Sequence, residues 1–174
     1  MDYTKISIKT DRLKLVINTP NYSKDIFKEF DKDITTFMNW EPFEKLEDVE
    51  KAVKKRYRKI KLGEDIALRI TNNKTDEFLG IGTITRCKTP TPELGIWIKK
   101  SAHGNGYGKE AVSTLIKWSQ EYLNYKYLRY PVDKNNKASI KLIKSFGGIK
   151  GRSYKETMPS GKILNTLEYR LPKH

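Results

Sequence analysis

The sequence predicts a mixed α/β (α+β) domain of three layers, a mostly antiparallel central sheet with helices on both faces. Two features predict it. Antiparallel strand candidates are followed by a strand, helix, strand crossover, and a length of 174 residues is near the usual size of one domain. Residues 13–18, 66–71, 79–87, 94–99, 127–133 and 162–171 read as strands, bounded by turn chemistry such as Asn72-Asn73 and Thr89-Pro90-Thr91-Pro92. Helical spacing runs through 22–30, with Ser23 or Asn21 as the cap, and through 47–61, 107–123 and 138–146. In 47–61 the residues Val49, Val53, Tyr57 and Ile60 form one apolar stripe, which puts the lysines and arginines of 51–61 on a wet face. No repeat, linker or low-complexity tract interrupts the chain, so one domain spanning 1–174 is expected.

The most informative stretch is the strand, glycine loop and helix from Glu93 to Ala111. Gly104, Gly106 and Gly108 at alternate positions let the backbone turn sharply and approach a ligand without a Cβ in the way. A helix begins at once, so its first N–H groups point back into the loop, where they and the helix dipole make a site for a diphosphate. Three nucleotide motifs compete for these glycines. A Walker A loop fails, because His103 stands where its first glycine belongs and Lys109 is followed by Glu110. Gly106-x-Gly108-x-x-Ala111 fits the dinucleotide fingerprint only weakly, since no acidic residue ends a hydrophobic strand about 20 positions on. The acetyl-CoA loop Q/R-x-x-G-x-G/A is matched at both glycines by His103-Gly104-Asn105-Gly106-Tyr107-Gly108.

With this loop the chain resembles the GNAT superfamily of acyl-CoA N-acyltransferases, and within it the RimJ/RimL-like branch. The resemblance runs nearly end to end. Asp11-Arg12-Leu13-Lys14-Leu15 looks like the branch's opening strand, and Glu41-Pro42-Phe43 with Glu47-Asp48-Val49-Glu50 resembles the loop and helix before its central sheet. The segment from Pro131 to Gly148 resembles its strand and short helix with an N-x-x-S step. Two departures are His103, in place of the usual Gln or Arg, and Gly148, in place of the usual Phe.

The resemblance implies a direct transfer of acetyl from acetyl-CoA, as cosubstrate, to a primary amine, with no metal. Its coenzyme A contacts fall on Ile96, Trp97 and Ile98, where a bulge eased by Gly95 would free backbone N–H groups, and on His103, Gly104, Asn105, Gly106, Tyr107, Gly108, Lys109 and Asn136. Glu156 and Glu93 are the candidate bases; each is otherwise a solvated carboxylate. Many members carry a Tyr where this chain has Ile143, and the branch offers Ser139 as the donor to the departing thiolate. Ser139 and Asn136 could equally cap the short helix. Trp40, Glu41, Phe43 and Tyr154 are acceptor-site candidates in loops flanking the thioester end. The acceptor is a peptide N-terminus or a small amine such as an aminoglycoside, amino acid or polyamine.

A formal net charge of +14 attracts acidic partners. Coenzyme A is one, and a ribosome or RNA is another, through the basic residues and Tyr57 of 51–61. A basic RNA-associated module with a degenerate fold is therefore the competing function. The lone cysteine, Cys87, reads as a buried small residue within strand 79–87, and with only His103 and His174 beside it builds no metal cluster. Without a transmembrane run or signal-peptide core, a cytoplasmic protein that does not engage membranes, monomer or homodimer, is expected.

Overall fold

A computed structural model describes residues 2–173; Met1 and His174, the second histidine, lie outside it. In chain order the elements are β1 (Ser7–Lys9), β2 (Leu13–Ile17), α1 (Ser23–Glu29), α2 (Lys32–Thr35), α3 (Leu46–Lys61), β3 (Ile66–Asn72), β4 (Phe78–Thr85), β5 (Glu93–Ile98), α4 (Tyr107–Tyr122), β6 (Tyr127–Asp133), α5 (Lys137–Lys144), β7 (Ile149–Thr157) and β8 (Ile163–Pro172). The strands form one eight-stranded sheet in the order β1-β2-β3-β4-β5-β6-β8-β7. Every neighbouring pair is antiparallel except β5 and β6.

The strand pleat divides the side chains between two cores. On one face Leu13, Leu15, Leu68, Ile70, Ile84 and Leu94 meet Ala111, Val112, Leu115 and Trp118 of α4. Gly82 makes the close approach possible: a Cβ there would come within 2.7 Å of the Leu115 side chain. On the other face Phe78, Ile81 and Trp97 pack against Ile26 and Phe30 of α1 and Val49 and Val53 of α3. With helices on both sides β3 and β4 are buried along almost their whole length. The helices α1 to α3 lie over the N-terminal half of that second face, where the α1–α3 and α3–β3 contacts are made.

Several expectations need correction. Neither Ser23 nor Asn21 caps α1: Tyr22 occupies the cap without a side-chain bond, and the Ser23 hydroxyl donates to Pro20 O at 2.8 Å. Arg86, at φ 60°, ends β4 early, so Cys87 sits in the following turn rather than in the strand, although it is buried. Burial there pushes its thiol up to about 12, an unreactive state. The β4–β5 ladder from Gly80↔Ile98 to Thr85↔Glu93 is regular, with no bulge at Gly95; a register shift occurs instead between Ile70 and Thr71, in the β3–β4 pair.

Gly148 has a steric reason. Gly147 takes φ 80° to end the helical turn, Gly148 N–H bonds Ile143 O at 3.1 Å, and a Cβ on Gly148 would lie 2.8 Å from that same carbonyl. The neighbour that would have to move is backbone. Gly148→Phe should therefore destabilise the protein by about 2 kcal/mol, a fall of roughly 4–8 °C in Tm by calorimetry.

Candidate active site

The site begins where two strands stop pairing. β5 and β6 run parallel and share a single register pair, Glu93↔Arg129, beyond which they diverge. One edge of β5 past Glu93 thus lacks a sheet neighbour, which leaves backbone amides without ladder partners. Divergence rather than a bulge opens this edge. A cavity of about 720 Å³ occupies the gap, and Glu93, Ile96, Trp97, Asn136, Ser139, Tyr154, Glu156, Trp40 and Phe43 all line it. The structure thus brings these nine expected residues together from four separate stretches of chain. Ile98 stays apart, buried in the core beside Gly108.

The glycine loop lies outside that cavity, at the start of α4. Gly106, at φ 76°, is the N-terminal cap residue and Gly104 is at φ 80° with open space where a Cβ would stand. Among the described residues the backbone N–H groups of Gly104, Asn105, Gly106, Tyr107, Gly108 and Lys109 have no protein acceptor; the first helical bond is Glu110 N–H to Gly106 O at 3.1 Å. Six consecutive free donors at the positive end of a 16-residue helix fit the diphosphate of a nucleotide-bearing substrate. The residues present fit coenzyme A. His103 serves differently from a direct anion contact: its Nε2 lies 2.7 Å from Ile98 O, and because a carbonyl only accepts, Nε2 carries the proton.

Arg12 completes the cradle. From the β1–β2 turn its Nη1 donates to Asn105 O at 2.9 Å and its Nη2 pairs with Glu110 at 2.6 Å, with the guanidinium over the Tyr107 ring. Glu110 also accepts from the Thr10 hydroxyl. Burial raises the Glu110 carboxyl, but the Thr10 and Arg12 bonds outweigh it and hold it below the usual glutamate range. A carboxylate so near an anion site would repel the ligand, and Arg12 neutralises it while tying the loop to the hairpin.

At the other end stand the candidate proton carriers. Glu93 pairs with Arg129 at 3.4 Å. Burial raises the Glu93 carboxyl above its usual range, Arg129 and Arg86 oppose the rise, and nearby Glu156 and Glu168 add to it. Glu156 projects from β7, not from a loop, and accepts from the Thr166 hydroxyl at 3.4 Å. Asn136 is the cap of α5, its Oδ1 accepting from Ser139 N–H at 3.0 Å. That assigns the capping role to Asn136 and frees the Ser139 hydroxyl, which lies 2.7 Å from the Tyr130 hydroxyl. Burial raises the Tyr130 phenol although the Ser139 bond opposes it, so the phenol keeps its proton and can donate to Ser139 Oγ. Ile143, where a tyrosine is usual, is fully buried in the core.

Glu41 does not reach the cavity. It accepts from the Ser160 hydroxyl at 2.7 Å and pairs with Lys162 at 3.1 Å, and those two contacts hold its carboxyl below the usual range. Lys162 also donates to Trp40 O at 2.8 Å, so the β7–β8 hairpin clasps the loop that carries Trp40 and Phe43 over the cavity. Arg12, Tyr130 and Asn18, whose buried Oδ1 has no partner although it lines the cavity, carry no motif of their own. Arg12 was visible only as part of the opening strand, and Tyr130 only as a strand residue nine positions before Ser139.

A cradle for an anionic donor that opens towards carboxylates and hydroxyls suits a group-transfer enzyme. Comparison with known proteins agrees. The family model described as acetyltransferase (GNAT) domain matches residues 12–149, and the chain belongs to that acetyltransferase family. Similar solved structures include a RimL ribosomal L7/L12 alpha-N-protein acetyltransferase in complex with coenzyme A, at 14% identity and TM-score 0.85 over 96% of this chain and 98% of that one. Others are a Salmonella typhimurium acetyltransferase that modifies the N-terminal serine of L7/L12, at 13% identity, TM-score 0.82 and coverage of 94% and 96%, and a Vibrio fischeri ribosomal-protein-S5-alanine acetyltransferase, at 14% identity, TM-score 0.81 and coverage of 97% for both chains. These show a shared fold. No curated protein matches the chain by sequence.

Acetyl-CoA should raise the Tm of the protein, and Gly106→Val should abolish the rise. The stabilisation at stake is about 2.7 kcal/mol at one hundred times the dissociation constant, and valine both resists φ 76° and crowds the anion. A folded mutant with an undiminished thermal shift would place the diphosphate elsewhere.

Proposed function

We propose that the protein is an acetyl-CoA-dependent N-acetyltransferase of the RimJ/RimL-like branch, acting on the α-amine of a polypeptide N-terminus by direct attack in a ternary complex. The observation that carries this reading is the joining of the free amide cradle to the cavity by the unpaired edge of β5. Coenzyme A supplies a thioester when bound, its diphosphate on Gly104 to Lys109 and its pantetheine along β5. Holding amine and thioester in line supplies much of the rate without a covalent enzyme intermediate.

The chain's own residues then manage protons. Glu156 and Glu93 face the cavity together and take the amine proton, directly or through water, leaving a neutral nucleophile. Ser139 donates to the departing sulfur. Tyr130 positions it, because a hydroxyl that accepts from the phenol keeps its own hydrogen free for the cavity. The aromatic rim of Trp40 and Phe43 is open enough for a polypeptide, and Trp40 is 41% exposed.

The RNA-module reading draws less support. On α3 the residues Val49, Val53 and Ile60 are buried, Tyr57 packs against the core with Lys61 over its ring, and Arg56 is paired with Asp65 at 2.7 Å. A tyrosine in that setting is not free to stack on a base.

Steady-state assays with a peptide acceptor test the roles. Ser139→Ala should lower kcat about ten- to a hundredfold with little change in acetyl-CoA affinity, and Tyr130→Phe should lower it several-fold less. Wild-type turnover in Ser139→Ala would leave water as the donor.

The pH profile separates the carboxylates. A base must lose its proton to work, so a raised Glu93 puts the acid limb of kcat/KM above the usual glutamate range. Glu156→Gln removes a neighbour that raises Glu93. If Glu93 is the base the limb moves to lower pH with activity retained; if Glu156 is the base, kcat falls about a hundredfold or more.

A further inference from the structure

The C-terminal half of the acceptor face carries a ring of guanidinium groups that proton transfer does not use. Arg129 on β6, Arg170 on β8 and Arg152 in the irregular turn of β7 all donate through Nε to the buried carboxylate of Glu168, at 2.8, 3.0 and 3.2 Å. Together they hold Glu168 below its usual range against the opposing effect of burial. Using Nε leaves the terminal nitrogens of Arg152 and Arg170 without ion-pair partners among the described residues, and both side chains are well exposed. A pocket of about 220 Å³, lined by these three arginines, Glu168 and Arg86, opens beside them. Gly151 is what lets the ring close: a Cβ there would sit 2.8 Å from Arg170 Nε. Arg170 and Arg152 also lie over the rings of Tyr127 and Tyr154, which fixes their planes.

This pocket neighbours the acceptor cavity, since Arg86 and Arg129 line both. Glu93 pairs with Arg129 and Arg129 with Arg170, so two strand spacings, about 10 Å, separate Glu93 from Arg170, one of the two exposed arginines of the ring. An extended polypeptide covers that distance in roughly three residues. We propose that the ring reads a carboxylate side chain within the first four residues of the acceptor, so that the enzyme selects N-termini followed closely by Asp or Glu. Planar, paired guanidiniums with free terminal nitrogens are built for bidentate capture of a carboxylate. The inference rests on the polypeptide-acceptor reading above.

Wild-type enzyme and peptides identical but for Asp, Asn or Lys at position two, three or four test it, at about 0.15 M salt to screen the general positive field. Asp should exceed Asn at one of these positions by about five- to tenfold in kcat/KM, mainly through KM, and Lys should fall below both. Arg152→Gln should bring the Asp-to-Asn ratio to within about twofold of one, whereas Lys117→Gln, the same charge change on exposed α4 surface, should keep it. The peptide series needs no variant, so a misfolded mutant does not rescue the idea. Acetylation of all three peptides at equal rates overturns the inference and leaves the polypeptide reading standing. Transfer to small amines with none to any peptide overturns both. Tight retention of an RNA oligonucleotide, lost in Arg152→Gln, with no charge preference among peptides, would reassign the ring to phosphates.

Discussion

The one constraint on which the rest depends is that β5 and β6 pair at a single position. A parallel pair that stays zipped would bury its amides in a ladder and leave no cavity. Here one register pair anchors the two strands, and the chain beyond it diverges towards α4 on one side and α5 on the other. The cradle, the hydroxyl pair and the carboxylates come from elements that the divergence separates and then faces towards one another. The sheet keeps its integrity because β4 and β8 hold the outer edges of the two strands with regular antiparallel ladders. Loss of pairing in the middle is therefore affordable in a sheet whose flanks are complete.

The electrostatics follow the same division. At the cradle a lone carboxylate, Glu110, is neutralised by Arg12, so the free N–H groups present a positive end to an anion. Beyond Glu93 on β6 to β8, Glu168 is the buried hub of three arginines, and Arg129 links it to Glu93. A buried carboxylate without such partners would protonate or destabilise the fold. The network thus allows charged groups to sit beside the cleft, where burial raises the Glu93 carboxyl. No helix among the described residues is long and apolar enough to cross a membrane.

Elements with two covered faces or one strong stripe were legible in the sequence. The strands of the central sheet and the helices α1, α3, α4 and α5 fall within a residue or two of the expected bounds, because burial forces apolar periodicity on them. β7 was not legible. As the edge strand it takes its backbone bonds from β8 alone, and its exposed Lys150, Arg152, Ser153 and Lys155 leave no apolar period to detect. β1 is too short to show one. The glycine loop could be read because glycine adopts the positive φ of Gly104 and Gly106 without strain. Arg12 and Tyr130 could not, since an arginine beside a turn and a tyrosine in a strand look alike whether or not they touch a site. The expected bulge at Gly95 failed for a related reason: a glycine signals local freedom, and whether two strands part is decided by what lies outside them.

Glu156 rides on the outermost strand, which has one neighbour and largely solvated side chains. The cradle rides on a helix buried against four central strands. Local opening costs least where packing is sparse, so fraying of β7 withdraws the Glu156 carboxylate from the cavity while the glycine loop stays formed. Warming would then yield an intermediate regime in which the cradle is still formed while the outer wall of the cavity has opened, and hydrogen exchange along β7 would run ahead of exchange along α4.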